Sequence, residues 1–138
     1  MRVRRSIFIF FILLQGTVLF AQKTMAYLHD DADFKEAYAL FEKEKFGAAQ
    51  ALFSKVSTRC IDPWNIVRVE AEYYSAVCAV ELFNKDAEWL LEKFISDHPE
   101  SPLKLNAYFH LGRYNFRKKK YKDVLQWLSK VDYNDLQP

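Results

Sequence analysis

Residues 107–131 read AYFHLGRYNFRKKKYKDVLQWLSKV: an apolar-periodic stretch, a short basic run and a second apolar-periodic stretch. Apolar residues that recur every three to four positions indicate amphipathic helices. Two earlier stretches have the same organisation, residues 34–56 (FKEAYALFEKEKFGAAQALFSKV) and residues 71–94 (AEYYSAVCAVELFNKDAEWLLEKF). The chain therefore predicts three successive pairs of helices, each pair joined by a short polar turn.

The second helices of the three pairs superpose best, at three shared positions spaced i, i+4 and i+7. These positions are Ala49, Ala87 and Val124; then Phe53, Leu91 and Leu128; then Val56, Phe94 and Val131. The spacing puts all three positions on one helical face. A small residue followed by a large one favours close packing, because the small side chain lets a neighbouring helix approach. The copies recur after 38 and then 37 residues.

Local signals at the helix ends divide the pairs into six helices. Asp62–Pro63 and Ser101–Pro102 are each typical of an N-cap followed by a first-turn proline, and Asp33 with Glu36 resembles a capping box. Three glycines and four prolines in 138 residues favour helices over many short strands. The prediction is an all-α fold, with helices at residues 32–44, 47–57, 63–83, 86–96, 102–118 and 121–131.

Several residues match the signature of the tetratricopeptide repeat (TPR) family. In the third copy, Tyr108, Leu111 and Gly112 stand where that family has an aromatic–leucine–glycine trio, and Tyr121 opens the second helix. The remaining matches are Ala37, Phe46, Ala49 and Phe53 in the first copy, and Ala87 and Pro99 in the second. Over about residues 32–131 the chain resembles this family, in the degenerate form of exported bacterial proteins.

The resemblance implies an α-solenoid of about three units, at residues 30–61, 63–99 and 101–135. The sequence departs from the family in its periods, which exceed about 34 residues, and in Asn84 and Val124, which replace an aromatic residue and an alanine. A generic helical bundle is the alternative. The last residues, DYNDLQP, would begin another helix pair, which predicts the N-terminal part of a longer array or a last face covered by a partner.

The N-terminus has the organisation of a secretory signal peptide. The basic segment MRVRR precedes 16 mostly apolar residues, 6–21, and a small residue, Ala21, stands at a plausible cleavage point. A membrane-anchoring helix is the alternative, but about 20 residues are needed to span a bilayer. We expect residues 1–21 to be a signal peptide and residues 22–138 to be the repeat domain. The expected location is the periplasm or cell envelope of a Gram-negative bacterium, with membrane contact only through an uncleaved signal segment.

The charge balance argues against nucleic acid as a partner. The full chain has 20 basic and 18 acidic residues; without Arg2, Arg4 and Arg5 the balance is 17 against 18. Nucleic-acid-binding proteins usually carry a marked basic excess. The run RKKKY at residues 117–121 falls in a turn between two helices, where lysines complement the helix dipole, so a solvated turn is the preferred interpretation. Contact with anionic lipid or an acidic partner is the alternative.

No pattern of catalytic, cofactor-binding or metal-binding residues is found. Glycines occur only at positions 16, 47 and 112, so no phosphate-binding loop can form. The three histidines lie in unlike contexts, and HDDAD at residues 29–33 lacks the glycine and spacing of a calcium loop. We therefore expect no enzymatic activity, cofactor or metal, although a catalytic part could lie beyond Pro138. Whether Cys60 and Cys78 form a disulfide is left open; a buried thiol is the simpler interpretation of Cys78.

The concave face of such a solenoid is lined mainly by the first helix of each repeat. The alignment places there Phe34, Tyr38 and Phe41; Glu72, Ala76 and Val80; and Asn106, Phe109, Arg113 and Phe116. Aromatic side chains with an occasional charge suit a peptide ligand with apolar anchors, while packing between repeats is the alternative for each residue. The chaperone-binding subgroup clamps a carboxylate with Lys, Asn and Arg; here Phe34, Tyr38, Tyr73 and His110 occupy those places, so that ligand is not implied.

The predicted function is therefore a non-enzymatic protein–protein interaction scaffold of the cell envelope, which binds a protein or peptide in its groove. One alternative is a structural module that self-associates through its end faces, with Leu136 as a contact. Another is the N-terminal repeat region of a larger protein with a separate activity.

Overall fold

The computed structural model describes residues 31–131, which form six α-helices and no strand. Helix α1 covers residues 31–42 of this part. The others are α2 (Phe46–Arg59), α3 (Ile66–Glu81), α4 (Ala87–Asp97), α5 (Lys104–Arg117) and α6 (Tyr121–Leu128). The predicted all-α fold is confirmed, and each predicted helix is present with ends shifted by at most three residues. The predicted signal peptide and residues 132–138 lie outside the described part. Within it, no helix has the length and apolar character needed to cross a bilayer.

The same turn closes all three helical hairpins. Glu44, Phe83 and Lys119 have positive φ angles of 56°, 58° and 60°. In each turn the N–H of that residue donates to the carbonyl three residues earlier, and the next N–H donates to the carbonyl five residues earlier. This is the Schellman arrangement that ends many helices, usually with glycine at the left-handed position. Here none of the three is glycine, so each turn contains some backbone strain.

From α2 onwards, each helix packs mainly on its neighbours in the chain: α2 on α3, α3 on α4, α4 on α5, and α5 on α6. The additional contact of α3 with α5 joins the first helices of the second and third hairpins. The positions predicted to share one face of the second helices are buried in all three hairpins, except that Leu128 is only half-buried. The apolar pattern therefore identified the core correctly.

Gly112 lies at a close contact between α5 and α6. A Cβ atom built on it would lie 2.5 Å from Leu128 Cδ2, well inside van der Waals contact. Because glycine has no side chain, Leu128 can pack onto the backbone of α5. Gly47, by contrast, has no atom within 4 Å of the same hypothetical position.

The predicted caps of α3 and α5 are wrong in position. Helix α3 begins three residues after Pro63, and its cap is Asn65, whose Oδ1 accepts from the Val67 N–H at 2.9 Å. Asp62 Oδ1 accepts instead from the Trp64 N–H, which forms a turn before the helix. Likewise the hydroxyl of Ser101 accepts from the Leu103 N–H, and α5 starts only at Lys104.

The predicted capping box of Asp33 and Glu36 is also wrong, because residues 31–42 are already helical. Asp33 instead joins α1 to α2: its Oδ2 lies 3.1 Å from Lys55 Nζ and 2.9 Å from Arg59 Nη2. Hydrogen bonds from Lys55 and then Arg59 lower the pKa of this carboxyl. The acid therefore holds two helices together rather than starting one.

Candidate functional site

A groove of about 670 Å³ lies between α1, α3 and α5, the first helices of the three hairpins. Five residues predicted to bind a partner line it: Tyr38, Phe41, Asn106, Phe109 and Arg113. They come from α1 and α5, which the repeat alignment placed on one face. We call this cavity the concave groove.

Three further predicted residues do not line the concave groove. Phe34 is half-buried and packs in the core, with its ring centroid 5.5 Å from that of Phe53. Phe116 borders a different cleft of about 360 Å³, where α5 meets α6.

Glu72, the third of them, belongs to a charged network that ties two loops to α3. Its Oε1 accepts from Arg68 Nε at 2.9 Å, and its Oε2 lies 2.8 Å from His98 Nε2. Arg68 also donates to the carbonyl oxygens of Cys60 and Ile61. Burial alone would raise the pKa of Glu72, but the hydrogen bonds with His98 and Arg68 outweigh it and lower that pKa. These contacts give Glu72 a structural role.

Helix α3 faces the concave groove with Tyr73, Val77 and Glu81, each one residue after a predicted position. The predicted residues Ala76 and Val80 are buried in the core instead. For Tyr73 and Val77 the shift has a structural cause in the turns, whereas Val80 is already in register with Phe41 and Phe116 when counted from the turn, so the turns do not account for Glu81. The positive-φ residues of the turns recur after 39 and 36 residues. The second helices recur after 38 and 37 residues instead. The two spacings differ because Ala87 follows its turn one residue sooner than Ala49 and Val124 follow theirs.

The floor of the concave groove is a continuous row of rings. Neighbouring ring centroids lie 5.1–6.2 Å apart along this row. The order is Phe46, Phe41, Tyr38, Tyr74, Tyr73, His110 and Phe109. Arg113 closes the row, with its guanidinium carbon 6.0 Å from the centre of the Phe109 ring. Such a floor offers large rigid apolar contact area together with polar tips.

Tyr73, Tyr74 and His110 of this floor are neutral at pH 7. Burial raises the pKa of Tyr73 to about 12, opposed in part by a hydrogen bond with Asn106. Burial raises the pKa of Tyr74 as well. Burial, and then the charge of Arg113, lower the pKa of His110 to about 4. The phenols and the imidazole can therefore exchange hydrogen bonds with a ligand without contributing charge.

Charge enters the concave groove at its rim. Glu42, Glu44 and Glu81 supply three carboxylates, and Arg113 supplies the guanidinium. Arg113 Nη2 lies 3.2 Å from Glu81 Oε1, so these two charges are paired. Among the residues that the structure describes, no group of three or more His, Cys, Asp or Glu side chains is placed to hold a metal ion.

A second cavity of about 470 Å³ adjoins the concave groove, and Leu103 lines both. Its walls include the exposed side chains of Trp64 and Ile66, and the carboxylates of Glu70 and Glu100. We call it the entrance cleft. It was not foreseen, because Trp64 lies in a loop before α3 and carries no helical periodicity.

The basic run lies at the α5–α6 turn, as predicted, but two of its lysines are engaged. Lys118 Nζ and Lys120 Nζ lie 3.5 and 3.3 Å from Glu88 Oε2 on α4. Arg117 stacks 4.6 Å from the Phe83 ring centre and donates to the Val80 carbonyl oxygen. These basic side chains therefore contact the second hairpin, so the turn is not simply solvated.

Both cysteines are buried, and they form no disulfide with each other. Cys78 is fully buried in the core, and burial raises its pKa to about 12. The expectation of a buried thiol at this position is confirmed.

No family model, curated protein or solved structure matches this chain.

Proposed function

We propose that this protein is a TPR-like α-solenoid that acts as a protein–protein interaction scaffold and binds a peptide segment of its partner in the concave groove. The observation that carries the proposal is the uninterrupted aromatic floor of a groove of about 670 Å³ between three first helices. In protein interfaces a few well-packed anchors supply most of the affinity. The row of rings provides sites where apolar ligand side chains can be anchored.

The repeat assignment within this proposal is supported by three hairpins with the same turn and the same buried positions. The contact of Gly112 with Leu128 supports the resemblance of the third copy to the TPR signature. Export to the periplasm or cell envelope is part of the same proposal and rests on the sequence of residues 1–21.

A partner pull-down with paired variants tests the proposed surface. Phe109→Ala with Arg113→Glu should abolish partner capture, because it removes an aromatic anchor and replaces the Arg113–Glu81 ion pair of the rim by two carboxylates that repel each other, while far-UV circular dichroism remains unchanged. The matched control is Trp89→Ala with Lys93→Glu, which makes the same kinds of change at the same spacing on α4, where Trp89 is 59% exposed. Capture retained by the first variant, or lost equally in the control, would refute binding in the concave groove.

A second candidate function is self-assembly through the end face formed by α5 and α6. Its support is the exposure of three apolar residues on that face, Phe116, Tyr121 and Leu125. In that case light scattering after gel filtration should show concentration-dependent oligomers that Leu125→Lys abolishes. A monomer at all concentrations would rule this function out and leave the groove proposal standing.

A further inference from the structure

The concave surface is strongly acidic. Among residues 31–131, five carboxylates line the concave groove and the entrance cleft, and Arg113 is the one lysine or arginine that does so. The carboxylates belong to Glu42, Glu44, Glu70, Glu81 and Glu100. The whole chain is nearly neutral outside its first residues, with 17 basic and 18 acidic side chains after the first 21. The charges of this protein are therefore unevenly distributed over its surface.

Four of the five carboxylates have no salt-bridge partner within residues 31–131. Glu81 is paired with Arg113, whereas Glu42, Glu44, Glu70 and Glu100 form none of the ion pairs of this part of the chain. Glu70 is half-buried beside apolar side chains, and burial raises its pKa. A carboxylate that loses water without gaining a cation is unfavourable. A ligand that brings positive charge would remove this cost.

The aromatic floor suits the same kind of ligand. A guanidinium already lies over the Phe109 ring at 6.0 Å and reaches Glu81 at 3.2 Å. A cation over a ring face, with a carboxylate beside it, is stabilised by both groups. Tyr38 and Phe41 lie in the same cavity as Glu42 and Glu44 and can offer a ligand an equivalent combination.

Resting on the proposed function, we propose that the ligand of the concave groove is a basic peptide segment, with cationic side chains at both ends of the bound stretch and apolar ones between. The two acidic ends are marked on α3 by Glu70 and Glu81. Eleven residues of helix rise about 16 Å. An extended peptide covers that distance in about five residues, so the two cationic positions are about five residues apart.

Selection from a phage-displayed library of random dodecapeptides on the immobilised protein tests this inference without a known partner. The selected peptides should contain more Lys and Arg than Asp and Glu, with two basic positions about five residues apart. The affinity of synthetic selected peptides is then measured by fluorescence anisotropy. At low salt they should bind the variant Glu42→Gln with Glu44→Gln about tenfold more weakly than the native protein, and this difference should shrink at high salt. The control Glu36→Gln with Glu92→Gln changes net charge equally at exposed positions outside the groove and should leave affinity unchanged.

The outcomes separate this inference from the proposed function. Neutral or acidic selected peptides that lose binding to the variant Phe109→Ala with Arg113→Glu would overturn the basic ligand while leaving the groove as a binding site. No selection above blank beads, or binding unaffected by either groove variant, would overturn both. The protein could also dimerise, and the variant Glu42→Gln with Glu44→Gln could abolish that dimer. In that case a second copy of this chain would be the occupant of the groove, and the inference of a separate basic peptide would be overturned.

Discussion

Replacement of Gly112 by alanine tests the close packing of α6 on α5. The new Cβ atom would lie 2.5 Å from Leu128 Cδ2 and 2.8 Å from Leu128 Cγ, whereas carbon atoms in contact are about 3.5–4.0 Å apart. The helices must therefore separate or Leu128 must leave its position. Overpacking of this kind costs about 1–3 kcal/mol, and the better helix propensity of alanine returns about 1 kcal/mol.

The expected net result for Gly112→Ala is a loss of about 1 kcal/mol in the free energy of unfolding. Urea and thermal denaturation followed by circular dichroism measure it, and the melting temperature should fall by about 5 °C. Gly47→Ala is the matched control: it is also helical, but open space surrounds its Cβ position. That variant should be stabilised by about 0.5 kcal/mol.

A double-mutant cycle identifies Leu128 as the cause. In the presence of Leu128→Ala the clash is absent, so Gly112→Ala should then stabilise the protein, with a coupling energy of about 2 kcal/mol. If Gly112→Ala stabilises the chain that retains Leu128 as much as Gly47→Ala does, α6 does not pack on α5 as described. The small-and-large packing of the repeats would then be refuted in the third hairpin.

Three further predictions concern the turns, the charged network and the core thiol. Lys119→Gly should stabilise the protein by about 0.5–1 kcal/mol, measured by urea denaturation, because glycine adopts the positive φ of 60° without strain. Glu72→Gln should cost about 2 kcal/mol at pH 7, since it weakens hydrogen bonds to Arg68 and His98. Because the folded-state pKa of Glu72 is lowered from 4.5, its stabilisation is present above pH 4.5 and is lost as the pH falls further through the folded pKa. Cys78 should react with a thiol reagent only after unfolding, because it is fully buried.

Each of these predictions has a contrary result. The control for Lys119→Gly is Lys122→Gly, which lies inside α6 and should destabilise the protein by about 1 kcal/mol. A stability change of the same sign for both glycine variants would contradict the strained turn. A stability difference between Glu72→Gln and the native chain that persists unchanged down to pH 3 would contradict the role of that carboxylate. Labelling of Cys78 in the folded protein at the rate of a free thiol would contradict its burial.

The helices and the core could be predicted because the apolar spacing of the second helices is unambiguous. Ala49, Phe53 and Val56 stand at i, i+4 and i+7 on one helical face, and all three are fully buried. The helix starts were harder, because Asp62 and Asn65 are both good caps three residues apart. The structure uses Asn65, after a turn made by Asp62.

The concave groove could be predicted on α1 and α5 but not on α3. Helix α3 is buried around most of its circumference, from Ala71 to Val80, so its apolar pattern does not distinguish one face from another. The predicted positions Glu72 and Ala76 follow the register of the second helices, and one residue of difference in the turn rotates the predicted face by about 100°. Counted from the strained positions in the turns, the register is correct for Tyr73 and Val77 but not for Glu81, and non-glycine residues with positive φ have no reliable sequence signal.

Photo-crosslinking from inside the concave groove tests the central proposal most directly. A photoreactive phenylalanine analogue at Tyr38 or Phe109 lies in the groove, whereas one at Trp89 lies exposed on α4. We predict a discrete adduct with the same partner from both groove positions and none from position 89. Adducts of equal yield from position 89, or none from either groove position while the partner still binds, would contradict the account.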